Sequence, residues 1–133
     1  MMSAVMTMTM KERIGGMGTF SVSIELANRE GTRVREIEAL VDTGAAYSVF
    51  PANLLADLDV EPAERRQFEM ADGRVIEMGM GEAVARVDGR SATTMVIFGD
   101  AGTGPLLGAH ALEGLGLGVD PVNRELIPVT MRL

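Results

Sequence analysis

The chain has 133 residues, enough for one good hydrophobic core but not two. Its formal net charge of −7, with Arg65–Arg66 as the only adjacent basic pair, argues against a nucleic-acid partner, because a negative field repels phosphate backbones. The absence of Cys excludes disulfides and thiolate metal sites and suits a cytoplasmic protein, and no apolar run approaches the roughly 18 residues of a membrane span.

Residues 1–16 read as a Met-rich, disordered leader without the layout of a signal peptide, and Met17 is an alternative start; residues 17–133 form a single domain. From Thr19 to Leu26 polar and apolar residues alternate, the period of a half-buried strand. Asn28 to Thr32, with Gly31, is a turn, and Arg33 to Val41 is a second strand that becomes wholly apolar at Ala39-Leu40-Val41. Pro51 can open a short helical turn through Leu54, Leu55 and Leu58. Arg66–Met70 and Arg74–Met78 are predicted strands joined around Asp72-Gly73, and Glu82–Val87 joins Ser91–Phe98 around Asp88-Gly89; Asp-Gly between alternating segments signals a hairpin because both residues tolerate positive φ. After a Gly-rich loop (Gly99 to Gly104) come Leu106-Leu107-Gly108, a short helix from Ala109 to Leu115 closed by Gly116, and two segments, Leu117–Val119 and Leu126–Val129, flanking Asp120-Pro121. Many short strands, two Asp-Gly hairpins and one or two short helices predict an all-β domain with a closed or strongly folded sheet.

One segment carries chemistry. Asp42-Thr43-Gly44-Ala45 follows the apolar Ala39-Leu40-Val41 directly, so a buried strand delivers a carboxylate at its end. Such a group must be hydrogen-bonded or paired, since an isolated buried charge is very costly. Gly44 allows a close turn with its N–H toward the carboxylate, and Thr43 adds a short hydroxyl. Taken alone, the triplet is more readily a turn cap than a catalytic group. The surroundings change that balance. Leu40-Val41-Asp42-Thr43-Gly44-Ala45 with Ser48-Val49-Phe50-Pro51 resembles the active-site segment of retropepsin-like (clan AA) aspartic proteases. The Asp72-Gly73 hairpin stands where that family has its flap, and Leu106-Leu107-Gly108 before a helix resembles its apolar-apolar-Gly motif. Val119-Asp120-Pro121 is similar to the small bacterial and archaeal members.

The resemblance implies a closed acid-protease barrel and an aspartic endopeptidase. Peptide hydrolysis of this kind needs two carboxylates sharing a proton, yet Asp57, Asp59, Asp72, Asp88, Asp100 and Asp120 all lack a following Thr-Gly. A homodimer would bring two Asp42 side chains together on a two-fold axis. Thr43 then reaches across the axis and the backbone of Ala45 lines the site. Ala71-Asp72-Gly73-Arg74 becomes a lid over an extended peptide, and Met70, Ile76 and Leu107 are candidate pocket residues, each equally readable as plain core. The charged lid tip departs from the Gly-rich retroviral one and motivates an alternative: a catalytically silent peptide-binding or dimerisation module on the same fold. No metal or cofactor is implied. His110 lacks a second His or a Cys and is placed on the surface of the short helix, Gly99–Gly104 lacks the Gly-Lys-Ser/Thr of a phosphate loop, and the scattered acids from Glu61 to Glu82 read as solvated strand edges.

Overall fold

The computed structural model describes residues 19–133; the Met-rich leader expected over 1–16 lies outside them. The chain forms β1 (Thr19–Ala27), β2 (Val34–Asp42), β3 (Ser48–Pro51), α1 (Ala52–Asp57), β4 (Glu64–Glu69), β5 (Val75–Val87), β6 (Arg90–Gly99), β7 (Leu106–Leu107), α2 (Ala109–Leu115), β8 (Leu117–Asp120) and β9 (Glu125–Pro128). The β-dominated class and the two short helices match the expectation.

Seven strands hydrogen-bond in the order β1-β2-β7-β3-β6-β5-β4. A further antiparallel pairing of Glu25–Ala27 with Val84–Arg86 joins β1 to β5, so six of the seven strands form a ring and β4 hangs outside it on β5. The two-residue β7 is inserted between β2 and β3, parallel to the first and antiparallel to the second. β8 and β9 make a separate two-stranded sheet.

Alternation decides what the ring encloses. Ile24, Ala39, Val41, Phe50, Val96 and Leu107 point to one side and form the core, which α1 closes with Leu55 and α2 with Leu112 and Leu115. A helix as short as α2 is marginal alone and forms because its apolar face is buried. Gly116, at φ 70°, ends it in the left-handed conformation that glycine adopts without penalty, and Arg90 donates to the carbonyls of Leu115 and Gly116 at 3.0 and 3.2 Å. At the β1–β2 turn, buried Asn28 accepts from the N–H groups of Thr32 and Arg33 and supplies the turn's internal hydrogen bonds.

Two details differ from the sequence reading. Apart from Arg74, the segments 74–78 and 82–87 are parts of one strand, β5, of 13 residues. The glycines at 79 and 81 look like strand breakers, but a Cβ on Gly81 would come within 2.8 Å of the Glu61 carbonyl, so glycine is there for close approach and the strand continues through it. The Asp72-Gly73 turn is also not a two-residue one. Gly73 N–H donates to the Met70 carbonyl, Met70 N–H to the Arg74 carbonyl, and only Gly73 has positive φ, so the loop spans three residues.

Candidate active site

β2 carries Asp42 at its end, and the residue is only 6% exposed. Asp42 is the one buried ionisable side chain among the described residues. Gly44 N–H donates to its Oδ1 at 2.9 Å, and a Cβ on Gly44 would stand 3.2 Å from the same oxygen. The backbone then turns, with Ala45 N–H donating to the Asp42 carbonyl at 3.2 Å. A donated hydrogen bond of this kind stabilises the ionised form and compensates burial.

The loop that follows is fastened from the far end of the chain. Ala109 N–H donates to the Ala45 carbonyl at 2.8 Å and His110 N–H to the Ala46 carbonyl at 3.0 Å. Gly108 N–H donates to the Oγ of fully buried Ser48 at 3.0 Å. A Cβ on Gly108 would sit 2.6 Å from the Tyr47 carbonyl oxygen, so only glycine lets these segments meet. The rings of Tyr47 and His110 stack with centroids 5.2 Å apart, which puts His110 on the helix surface as expected but against the Asp42 loop. Thr43 is exposed and Ala45 half-buried beside the carboxylate.

Strand register defines a second face around Asp42. Paired residues share a face and residues two apart on a strand share it too. Leu40, two before Asp42, pairs with Leu106; Leu106 with Val49; Val49 with Ile97; and Ile97 with Met80. These residues form an apolar row across β2, β7, β3, β6 and β5 on the side opposite the core. Met80 also belongs to the β4–β5 arm, where Met78, Ile76 and Phe68 continue the same face. Ile76, one of the three candidate pocket residues, therefore lies on the Asp42 face, and Met70 begins the arm's turn next to Phe68. Leu107, the third, is fully buried in the core. The physical reason is a one-residue offset: neighbouring strand positions point to opposite faces, so Leu106 is on the Asp42 side and Leu107 is not. Leu40, Val49, Leu106, Ile97 and Met80 escaped the sequence reading because in a continuous apolar run either parity can face the core.

Ala71, Asp72, Gly73 and Arg74 form the exposed tip of the arm. The Arg74 N–H donates to Asp72 Oδ1 at 3.0 Å and its guanidinium to Oδ2 at 2.8 Å. These bonds, the backbone one first, hold the Asp72 carboxyl below its ordinary pKa. Two surface clefts of about 450 Å³ lie elsewhere, one by the β5–β6 hairpin and one between Asn28 and Glu82; neither is lined by Asp42 or by the tip. The acids of the second cleft are exposed, and Glu82 pairs with Arg29. No helix among the described residues is long and apolar enough to cross a membrane.

Comparison with solved structures relates this ring to a known architecture. A foamy viral protease-reverse transcriptase, solved in complex with an RNA/DNA hybrid, superposes with a TM-score of 0.50 at 12% identity, over 84% of this chain and 13% of that one. The fold is retropepsin-like. A retropepsin-like aspartic protease from Rickettsia conorii aligns at 20% identity over 78% of this chain and 89% of its own, with a TM-score of 0.49. The simian foamy virus protease aligns at 17% identity over 69% of this chain and 92% of its own, also at 0.49. At these identities the likeness is one of fold. No protein-family model and no curated protein matches the sequence. Within the retropepsin-like ring, the inserted β7 and the helix after it are the parts that fasten the Asp42 loop.

Proposed function

We propose that the protein is an aspartic endopeptidase that works as a homodimer, with one Asp42 from each copy forming the catalytic pair. The observation that carries this reading is that Asp42 alone among the described acids is buried, at the end of a strand in a loop held by Gly44, Ser48 and Gly108. A single chain then offers half of the required chemistry, and an isologous contact supplies the other half. Two carboxylates held close share one proton and titrate as a unit. The ionised member removes a proton from water as the water oxygen bonds to the scissile carbonyl carbon. The protonated member gives its proton to the carbonyl oxygen. Collapse of the tetrahedral intermediate breaks the C–N bond, with a proton passing to the leaving nitrogen. Thr43 reaches toward the partner, and Ala45 lines the cleft. An extended peptide lies along the apolar row of Leu40, Leu106 and Val49, and the tip at Ala71–Arg74 closes over it with Met70 and Ile76 above.

The test compares wild type with Asp42→Asn on a peptide library from acid to neutral pH. Turnover should fall by at least about 10²–10⁴-fold in the variant, while its thermal melt is retained and sedimentation finds dimers at micromolar concentration. Equal activity in the two proteins at every pH, or a strict monomer that still cleaves, sinks the reading. Saturable peptide binding without turnover would favour the silent module instead.

A further inference from the structure

The charges of the β4–β5 arm are sorted onto two faces. Residues two apart on a strand share a face, and so do residues paired across it. Phe68 pairs with Ile76, Arg66 with Met78 and Glu64 with Met80, so Arg66 and Glu64 stand on the underside of the arm, among the apolar residues that continue the Asp42 face. The side chains agree with the register. The Arg66 guanidinium donates to Glu64 Oε2 at 2.9 Å, a contact between positions two apart. Arg65, one residue earlier, lies on the opposite face, with its Nε 3.6 Å from Glu77 Oε1. Arg74, the third arginine of the arm, is at the tip and bonds Asp72. Arg66 is therefore the one cation of the arm turned to the same side as Asp42.

Its surroundings leave it able to take a second partner. Glu64 stands at the root of the arm, where it lines the cleft between Asn28 and Glu82, whereas Arg66 is two residues nearer the tip and opposite Met78. Both side chains are about half exposed, at 51% and 45%. An ion pair in such a setting is weak and exchanges readily. Glu64 engages one nitrogen of a guanidinium that carries five N–H donors in a fork matching a carboxylate. A peptide held under the arm would take water from this group, and a desolvated cation calls for an anionic partner.

We propose that Arg66 is a specificity-determining residue, its guanidinium receiving a glutamate or aspartate side chain of the extended peptide, outward of the apolar positions at the scissile bond. This rests on the endopeptidase reading for its effect on turnover but not for its effect on binding. Peptide pairs that differ only in Glu against Gln, placed at successive positions from the scissile bond, should show at one position a preference for Glu of about fivefold in kcat/KM. Arg66→Gln should abolish it, and Arg66→Glu should replace it with a preference for Lys at the same position. Arg65→Glu changes the net charge equally from the opposite face and should leave the preference as in wild type. All three substitutions are at exposed positions and should leave the thermal melt unmoved. The same peptides, titrated by fluorescence anisotropy against Asp42→Asn, should give the preference in Kd without turnover. Cleavage or binding with no Glu preference at any position, a preference that survives Arg66→Glu, or one lost equally in Arg65→Glu overturns the assignment. Glu-preferring binding that disappears in Arg66→Gln, in a protein that never cleaves, would leave Arg66 in its role and remove the peptidase. A protein that neither binds nor cleaves any of the peptides overturns both.

Discussion

β5 passes through two regions that use the same dipeptide differently. At its C-terminal end Asp88-Gly89 turns straight into β6: both residues have positive φ, 51° and 79°, and Val87 pairs with Arg90 immediately beyond. Before its N-terminal end Asp72-Gly73 sits in a three-residue loop in which only Gly73 has positive φ. The difference lies beneath the turns. Residues 81, 83, 85 and 87 are buried in the ring, whereas 75 to 77 are exposed with only β4 beside them. The supported hairpin is part of the core; the unsupported one is an arm. Local sequence cues are the same in both, so packing alone decides which can move.

The largest contrast should come from apolar truncation. Phe50→Ala, at 0% exposure, should destabilise the ring by about 3–5 kcal/mol. Ile76→Ala, on the arm at 37% exposure, should stay within about 0.5 kcal/mol of wild type while lowering kcat/KM. Paired denaturant melts decide this, and equal losses would show that the arm belongs to the cooperative unit.

A smaller contrast separates two glycines. Gly81→Ala drives a Cβ to 2.8 Å from the Glu61 carbonyl and should cost about 1–3 kcal/mol in the global melt. Gly73→Ala meets no atom within 4 Å and carries only the strain of φ 89°. It should speed amide exchange in the arm and leave the melting temperature nearly unmoved.

The smallest effect is one of pH. The Asp72 carboxyl lies below its ordinary 3.8 because Arg74 donates to it, first from the backbone and then from the side chain. The order this bond gives the tip is complete above about pH 4 and fades as the pH falls through the lowered pKa. Amide exchange at Gly73 and Arg74 should therefore accelerate in acid beyond its intrinsic trend, and Asp72→Asn should abolish that extra dependence.

Much of this was legible before any coordinates. The alternation from Thr19 to Leu26 marked β1, Gly116 marked the end of α2, and Asp42 stood out through the apolar run ahead of it. What misled was equally local. The strands expected at 74–78 and 82–87 are one strand, β5, which passes through Gly79 and Gly81 where Glu61 and Pro62 approach closely. Leu107 read equally as a pocket or a core residue, because Leu106 and Leu107 are chemically alike and only their pairing with Leu40 and Val41 respectively tells them apart.

Periods, turn residues and one acid after an apolar run are short-range features, and the chain alone determined them: a β-rich domain, its hairpins and the candidate Asp42. Faces and partners were decided only by tertiary structure. Inserting β7 between β2 and β3 sets which leucine faces Asp42, pairing β1 with β2 sets Thr19 opposite it, and meeting Gly108 holds its loop. Each of these joins residues that local sequence does not connect. A strand shifted by one residue would keep every local preference and exchange the two faces.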